Sequence, residues 1–123
     1  MRPNLAAGES VRLATVVWST TDTSTVVGVS GELDMATAGS FGAALAGVIG
    51  TRRPNVVIDA SRLGFCDSAG LAAVELAADL AAACGGTITM VGARPGLRSL
   101  LRITGTDRRF LRPGPSLRGG APC

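Results

Sequence analysis

The segment LGFCDSAGL, residues 63–71, places an acid and a hydroxyl side by side where a buried strand is expected to pass into a long helix. Ser, Thr, Asp and Asn are preferred at helix starts, because their side-chain oxygens accept backbone N–H groups that lack partners within the helix. The simplest interpretation of Asp67 and Ser68 is therefore a helix cap. A second segment of this kind, GELDMATA at 31–38, marks another strand-to-helix junction and argues for more than a cap.

Three regions have helical patterns. The clearest runs from Ser68 to Cys84, where Glu75 and Asp79 form a polar stripe and Gly85 follows as a helix-ending glycine. Its apolar face is formed by Leu71, Val74, Ala78 and Ala81. The other two predicted helices are Thr37 to Gly50, which carries no charged side chain, and Leu97 to Ile103, opened by Pro95 and closed by Gly105.

The strand pattern predicts an α/β fold. Strands alternate with helices, which requires parallel pairing and crossover helices. The predicted strands are Val11–Trp18 and Thr25–Ser30 as an N-terminal hairpin, Asn55–Asp59 as a central strand buried on both faces, Thr87–Val91, and Arg109–Leu111 as a possible edge strand. We therefore expect a mixed β-sheet with its helices packed largely on one face.

The chain is long enough for one domain with one hydrophobic core, since it has 123 residues and is 46% hydrophobic. Residues 1–10 are expected to form an N-terminal tail. Residues 11–112 form the predicted domain, and residues 113–123 form a Gly/Pro-rich flexible C-terminal tail.

Composition excludes much catalytic chemistry. The chain has no His, and its 12 basic residues are all Arg. Without His there is no Ser–His or Cys–His pair and no imidazole metal site. Without Lys there is no Walker A loop, Schiff base or Ser–Lys dyad. An enzyme could still use Asp and Ser, but most of the usual general bases are missing. We expect no cofactor and no metal.

The formal charge of +3 does not predict nucleic-acid binding. Much of the arginine excess lies late in the chain, and no aromatic residues alternate with it to form a stacking platform. No run of about 18 uncharged apolar residues predicts a membrane span, and no signal region opens the chain. The expected location is the cytoplasm. Cys66 and Cys84 are expected in the core of a protein from a reducing compartment, and Cys123 as an exposed thiol.

With both junction segments placed, the chain resembles the STAS domain family, and specifically the anti-sigma factor antagonists of bacterial partner-switching systems. The resemblance runs from about Val11 to Leu111. It rests on Gly31-Glu32-Leu33-Asp34 with Thr37-Ala38, on Val56-Val57-Ile58-Asp59, on Asp67-Ser68-Ala69-Gly70-Leu71, on Gly85-Gly86, and on Leu100-Leu101 with Gly105.

The resemblance implies a switchable binding partner and kinase substrate that is not itself an enzyme. A kinase-type anti-sigma factor, itself an ATPase, would phosphorylate Ser68, and a serine phosphatase would reverse this. The unphosphorylated protein would bind the kinase and free the sigma factor, whereas the phosphorylated protein would be released. The implied partner-binding residues are Asp34, Asp67, Ser68, Ala69 and Gly70, and the free protein is expected to be a monomer.

Several alternatives stay open at this point. Asp34 suits a helix cap and an interface role equally well, and Glu32 suits a solvated strand end. A thiol at Cys66, beside Ser68, would permit a redox-sensitive switch. Ala69 and Cys66 depart from the family pattern, as does the Gly/Pro-rich end where a final helix is usual. The alternative function is a STAS accessory subunit of a lipid-transporting ABC system; an enzyme with Ser68 as nucleophile would lack a conventional base.

Overall fold

A computed structural model describes residues 13–111. The four strands lie in the order β1-β2-β3-β4, with β1 antiparallel to β2 and the other two pairs parallel. This confirms the mixed sheet and the N-terminal hairpin. The elements are β1 (Ala14–Thr20), β2 (Ser24–Leu33), α1 (Ala38–Ile49), β3 (Asn55–Cys66), α2 (Ser68–Ala83), β4 (Ile88–Val91), α3 (Pro95–Thr104) and α4 (Asp107–Phe110). The two predicted tails and Cys123 lie outside the described residues.

One hydrophobic core lies between the sheet and the helices. All four helices contribute to it, through residues such as Phe41, Val74, Leu101 and Phe110, each at most 1% exposed. The strands contribute alternate positions, namely Val27, Val29, Val56, Ile58, Ile88 and Met90. This alternation is what a sheet covered on one face requires, because successive side chains point to opposite faces.

The opposite face of the sheet is open, so the prediction that Asn55–Asp59 is buried on both faces is wrong. Val57 on this face is only half-buried, and all seven residues of β1 are exposed. The continuous apolar run of β3 suggested that both faces of this strand are covered. The helices share one face of the sheet, which confirms their predicted placement, and the run leaves apolar surface on the other face.

The last predicted strand, Arg109–Leu111, is also wrong. The chain forms the short helix α4 there, and the Phe110 ring is 0% exposed within the core. Arg109 of α4 also forms an exposed ion pair with Asp79 of α2, at 2.7 Å between Nη2 and Oδ1. A helix of four residues with one buried aromatic is too short to show a helical spacing of apolar residues, so its sequence resembles that of a short strand.

The two described cysteines differ. Cys66 is a half-buried free thiol. Cys84 is buried, at 3% exposed, but it is disulfide-bonded, so the prediction of a reduced core cysteine is wrong there. Between residues 13 and 111, no helix is both long and apolar enough to cross a membrane.

Candidate functional site

The two junction segments meet at one edge of the sheet. Because β2 and β3 are parallel, their last residues, Leu33 and Cys66, are direct partners, and α1 and α2 begin beside each other. The backbone N–H of Asp67 donates to the carbonyl oxygen of Leu33 at 3.2 Å. The two motifs that were distant in sequence therefore form one surface.

Gly70 makes this close approach possible. A Cβ atom built at Gly70 would lie 2.6 Å from both Cγ and the carbonyl oxygen of Leu33. Real carbon atoms do not approach so closely, so any other residue would push the first turn of α2 away from β2. The predicted site residue Gly70 is buried, and its role in the structure is to let α2 pack closely against β2.

Asp67 caps helix α2. Its backbone is extended, and its side chain accepts a hydrogen bond from the Gly70 N–H, at 2.9 Å between Oδ1 and N. This satisfies one of the N–H groups that a helix start leaves unpaired. The cap interpretation is therefore confirmed for Asp67, which is half-buried.

Ser68 does not share that role. It is the first residue of the 16-residue helix α2 and is exposed. Among residues 13–111 its hydroxyl has no hydrogen-bond partner. The structure therefore presents a free hydroxyl at a helix start, with Ala69 half-buried beside it.

Asp34 organises the turn before α1. Its Oδ1 accepts from the N–H groups of Ala36, at 2.9 Å, and Thr37, at 3.1 Å. Thr37 also bonds back to this turn. Its buried hydroxyl accepts a hydrogen bond from the Asp34 N–H and donates one to the carbonyl oxygen of Glu32, both at 2.9 Å. The turn-stabilising interpretation of Asp34 thus has direct geometric support. Its role in partner binding stays a prediction.

Exposed apolar side chains surround this edge, and the sequence patterns did not single them out. Met35 is 79% exposed beside Asp34, and Phe65 is 49% exposed three residues before Ser68. A groove also runs between α1 and α2, lined by small and apolar residues that include Gly42, Ala69 and Leu76. Met35 and Phe65 were visible as apolar residues within the two junction segments, but apolar residues at strand ends are usually core.

Cys66 lies directly before the cap. Burial, and secondarily the neighbouring Asp67 carboxylate, raise the pKa of its thiol to about 11. Its Sγ lies 3.5 Å from the carbonyl oxygen of Asp67. The thiol is protonated at neutral pH, which disfavours the redox switch, since the thiolate is the reactive form. Over residues 13–111, no group of three or more His, Cys, Asp or Glu side chains could hold a metal ion.

Comparisons with known proteins match this architecture. A family model described as the Mlab STAS domain matches residues 16–113. The crystal structure of an anti-sigma factor antagonist from Mycobacterium paratuberculosis is 32% identical, with 89% of this chain and 92% of that chain covered and a TM-score of 0.70. A comparison with curated protein sequences gave no match.

Two structures of SpoIIAA share the fold. The anti-sigma factor antagonist SpoIIAA in its unphosphorylated form is 21% identical, with 80% and 86% of the two chains covered and a TM-score of 0.66. The Bacillus cell fate determinant SpoIIAA in the phosphorylated form is also 21% identical, with 80% and 89% covered and a TM-score of 0.63.

Proposed function

Because the chain belongs to the STAS domain family, we propose that it is an anti-sigma factor antagonist, a non-enzymatic cytoplasmic regulator of sigma-factor-dependent transcription. Unphosphorylated, it binds a kinase-type anti-sigma factor; phosphorylation on Ser68 releases it, and a serine phosphatase restores it. The observation that carries this proposal is the free, exposed hydroxyl of Ser68 at the start of α2, beside an apolar groove.

The position of Ser68 suits a phosphate. Transfer of the γ-phosphoryl group of ATP to Oγ, with loss of the hydroxyl proton and release of ADP, adds about −1.5 to −2 charges at neutral pH. The positive end of the α2 dipole tolerates an anion at this position. The exposed position of Ser68 at a helix start therefore supports the proposed modification.

The same phosphate is unfavourable in a complex. Asp67 and Asp34 already place carboxylates near this edge, and the exposed surfaces of Met35 and Phe65 favour a desolvated contact. Burying a new charge beside like charges at an interface costs several kcal/mol. Each 1.4 kcal/mol changes a dissociation constant about tenfold, so the modification changes partners without unfolding the domain.

The docking surface in this proposal extends from Ser68 along the groove between α1 and α2. Its lining of small residues lets a partner approach the helix backbones closely. Leu76, 70% exposed, and Leu80, 39% exposed, are large apolar side chains available for burial there. The predicted partner-binding residues Asp34, Asp67, Ser68, Ala69 and Gly70 lie at the end of this surface; Asp67 and Gly70 act by shaping it.

The alternative, an accessory subunit of a lipid-transporting ABC system, has less support, because the relative at 32% identity is described as an anti-sigma factor antagonist. In that alternative, a charge on Ser68 would not control assembly. The two functions therefore differ in a measurable way.

Affinity capture from a lysate of the source organism tests the proposal. The baits are wild type, Ser68→Glu, and Ser99→Glu, which adds the same charge at an exposed position of α3. We expect wild type and Ser99→Glu to retain a kinase-type anti-sigma factor that Ser68→Glu loses. Transporter subunits on all three baits would favour the alternative and contradict the proposal.

A further inference from the structure

The only tryptophan of the chain lies on the open face of the sheet. Trp18 of β1 is 53% exposed, and its indole lies over Gly28 of β2. A Cβ atom at Gly28 would come within 2.6 Å of the ring atoms Cε2 and Cζ2. The glycine thus leaves the space in which the indole lies against the strand, and the rest of the ring faces solvent.

The strand register brings two opposite charges to this ring. Gly28 pairs with Val16 on one side and with Asp59 of β3 on the other, and the next row places Arg62 beside Ser30. Asp59, Arg62 and Trp18 all line one small cavity of about 100 Å³ that opens to solvent. A carboxylate, a guanidinium and an aromatic ring therefore surround a single small space.

Both charges are available to a ligand. Asp59 uses Oδ1 to accept the Ser61 N–H at 2.9 Å, and hydrogen bonding from Ser61 lowers the pKa of this carboxyl, so it is ionised at neutral pH. The ion pair found within residues 13–111 is Arg109–Asp79, and neither Asp59 nor Arg62 takes part in it. Arg62 is close enough to contribute to the lowered pKa of Asp59, but the two side chains form no direct ion pair, so each can contact a ligand.

We propose that this cavity binds a small zwitterion of amino-acid size. The ligand ammonium group contacts the Trp18 ring, where cation–π attraction operates, and the Asp59 carboxylate. The ligand carboxylate contacts Arg62, whose planar guanidinium suits bidentate recognition. The apolar part of the ligand packs on Ala14 and Val16. The site lies on the face opposite the helices and is independent of the proposed phosphorylation switch.

Intrinsic fluorescence reports on this site alone, because Trp18 is the only tryptophan. The ligand series is L-leucine, 3-methylbutylamine, which lacks the carboxylate, and 4-methylpentanoate, which lacks the ammonium group. We expect saturable quenching or a saturable wavelength shift with leucine, and binding weaker by roughly tenfold or more for each analogue, because each analogue loses its hydrogen bonds to a charged group. Equal responses to all three compounds would overturn the proposal.

Matched variants locate the ligand. Asp59→Asn keeps an oxygen that accepts the Ser61 N–H but removes the charge, and Arg62→Gln removes the guanidinium. Each should weaken leucine binding by roughly tenfold or more, whereas Arg98→Gln on the exposed surface of α3 should not. The proposal is wrong if leucine gives no saturable change up to its solubility limit, or if both site variants bind it as wild type does.

Discussion

The backbone N–H of Asp67 donates a hydrogen bond to the carbonyl oxygen of Leu33, at 3.2 Å. This contact joins the end of β2 to the start of α2 and brings together two segments separated by more than thirty positions in the sequence. It places Ser68, the Asp34 turn and the groove between the helices on one surface. Substitutions at Gly70 and Asp67 test the stability of this edge, and substitutions at Ser68 test the proposed switch.

Gly70→Ala should destabilise the domain by about 1–3 kcal/mol, because the new methyl group overlaps Leu33 and forces the helix start outward. The measurement is urea denaturation followed by circular dichroism. Gly47→Ala is the control, since it is a helical glycine of α1 with nothing within 4 Å of the added carbon. That control should gain about 0.5–1 kcal/mol. An unchanged stability in Gly70→Ala would contradict the packing role.

Asp67→Ala should cost about 1 kcal/mol of stability, because the Gly70 N–H loses its acceptor. Asp67→Asn should cost much less, since asparagine caps as well as aspartate does. Thermal melts of the three proteins measure the difference. If both substitutions cost the same, the charge of Asp67, and not its hydrogen bond, would be what stabilises α2.

Cys66 should react slowly with iodoacetamide at pH 8. With a thiol pKa of about 11 against the ordinary 9.0, its thiolate fraction is lower by about a hundredfold, and its rate should fall to match. Peptide mass spectrometry reports the modification of Cys66 separately from the other cysteines. Rapid alkylation in the folded protein at pH 8 would show that the thiol is not held in its protonated form.

The raised pKa of Cys66 also makes the stability of the domain depend on pH. Burial favours the protonated thiol, so the contribution is complete below pH 9 and is lost as the pH rises through about 11. Wild type should therefore lose stability relative to Cys66→Ala over that interval. Denaturant melts of both proteins at each pH remove the effects they share, and parallel curves would contradict the assignment.

Phe110→Ala should cost about 3–5 kcal/mol, because it empties a fully buried aromatic position in the core. The neighbouring Arg109→Gln should cost less than about 1 kcal/mol, since the side chains of its ion pair with Asp79 are 41% and 66% exposed. Equilibrium unfolding of both variants measures the contrast. Comparable losses would mean that α4 is held by its surface pair and not by its ring.

The helices α1, α2 and α3 and the hairpin were predictable because their signals are local. α2 shows its apolar face, its capping aspartate and its closing glycines within a single stretch of sequence, and the structure confirms its extent to within about a residue. The resemblance of the two junction segments to the STAS domain family was also confirmed. Ser68 as a modification site stays a prediction.

The predictions that failed concern features that tertiary contacts determine. β3 runs to Cys66, well beyond the predicted end at Asp59. The prediction stopped early because the pairing of β3 with β2 is irregular after Gly28 and after Gly31, which breaks the alternation by which a strand is recognised in sequence. The exposure of Val57 depends on where the helices dock, and the burial of Phe110 depends on a core that no short window of sequence contains. Exposed Met35 and Phe65 were missed for the same reason.

The central claim is that one charge on Ser68 changes the partner. Its most direct test is calorimetric titration of the captured anti-sigma kinase, without ATP, into unphosphorylated protein, protein phosphorylated on Ser68, and Ser68→Ala. We expect Ser68→Ala to bind as wild type does, and phosphorylation to weaken binding by about a hundredfold or more, since a desolvated charge costs several kcal/mol. Equal affinity of the phosphorylated and unphosphorylated forms would contradict the switch.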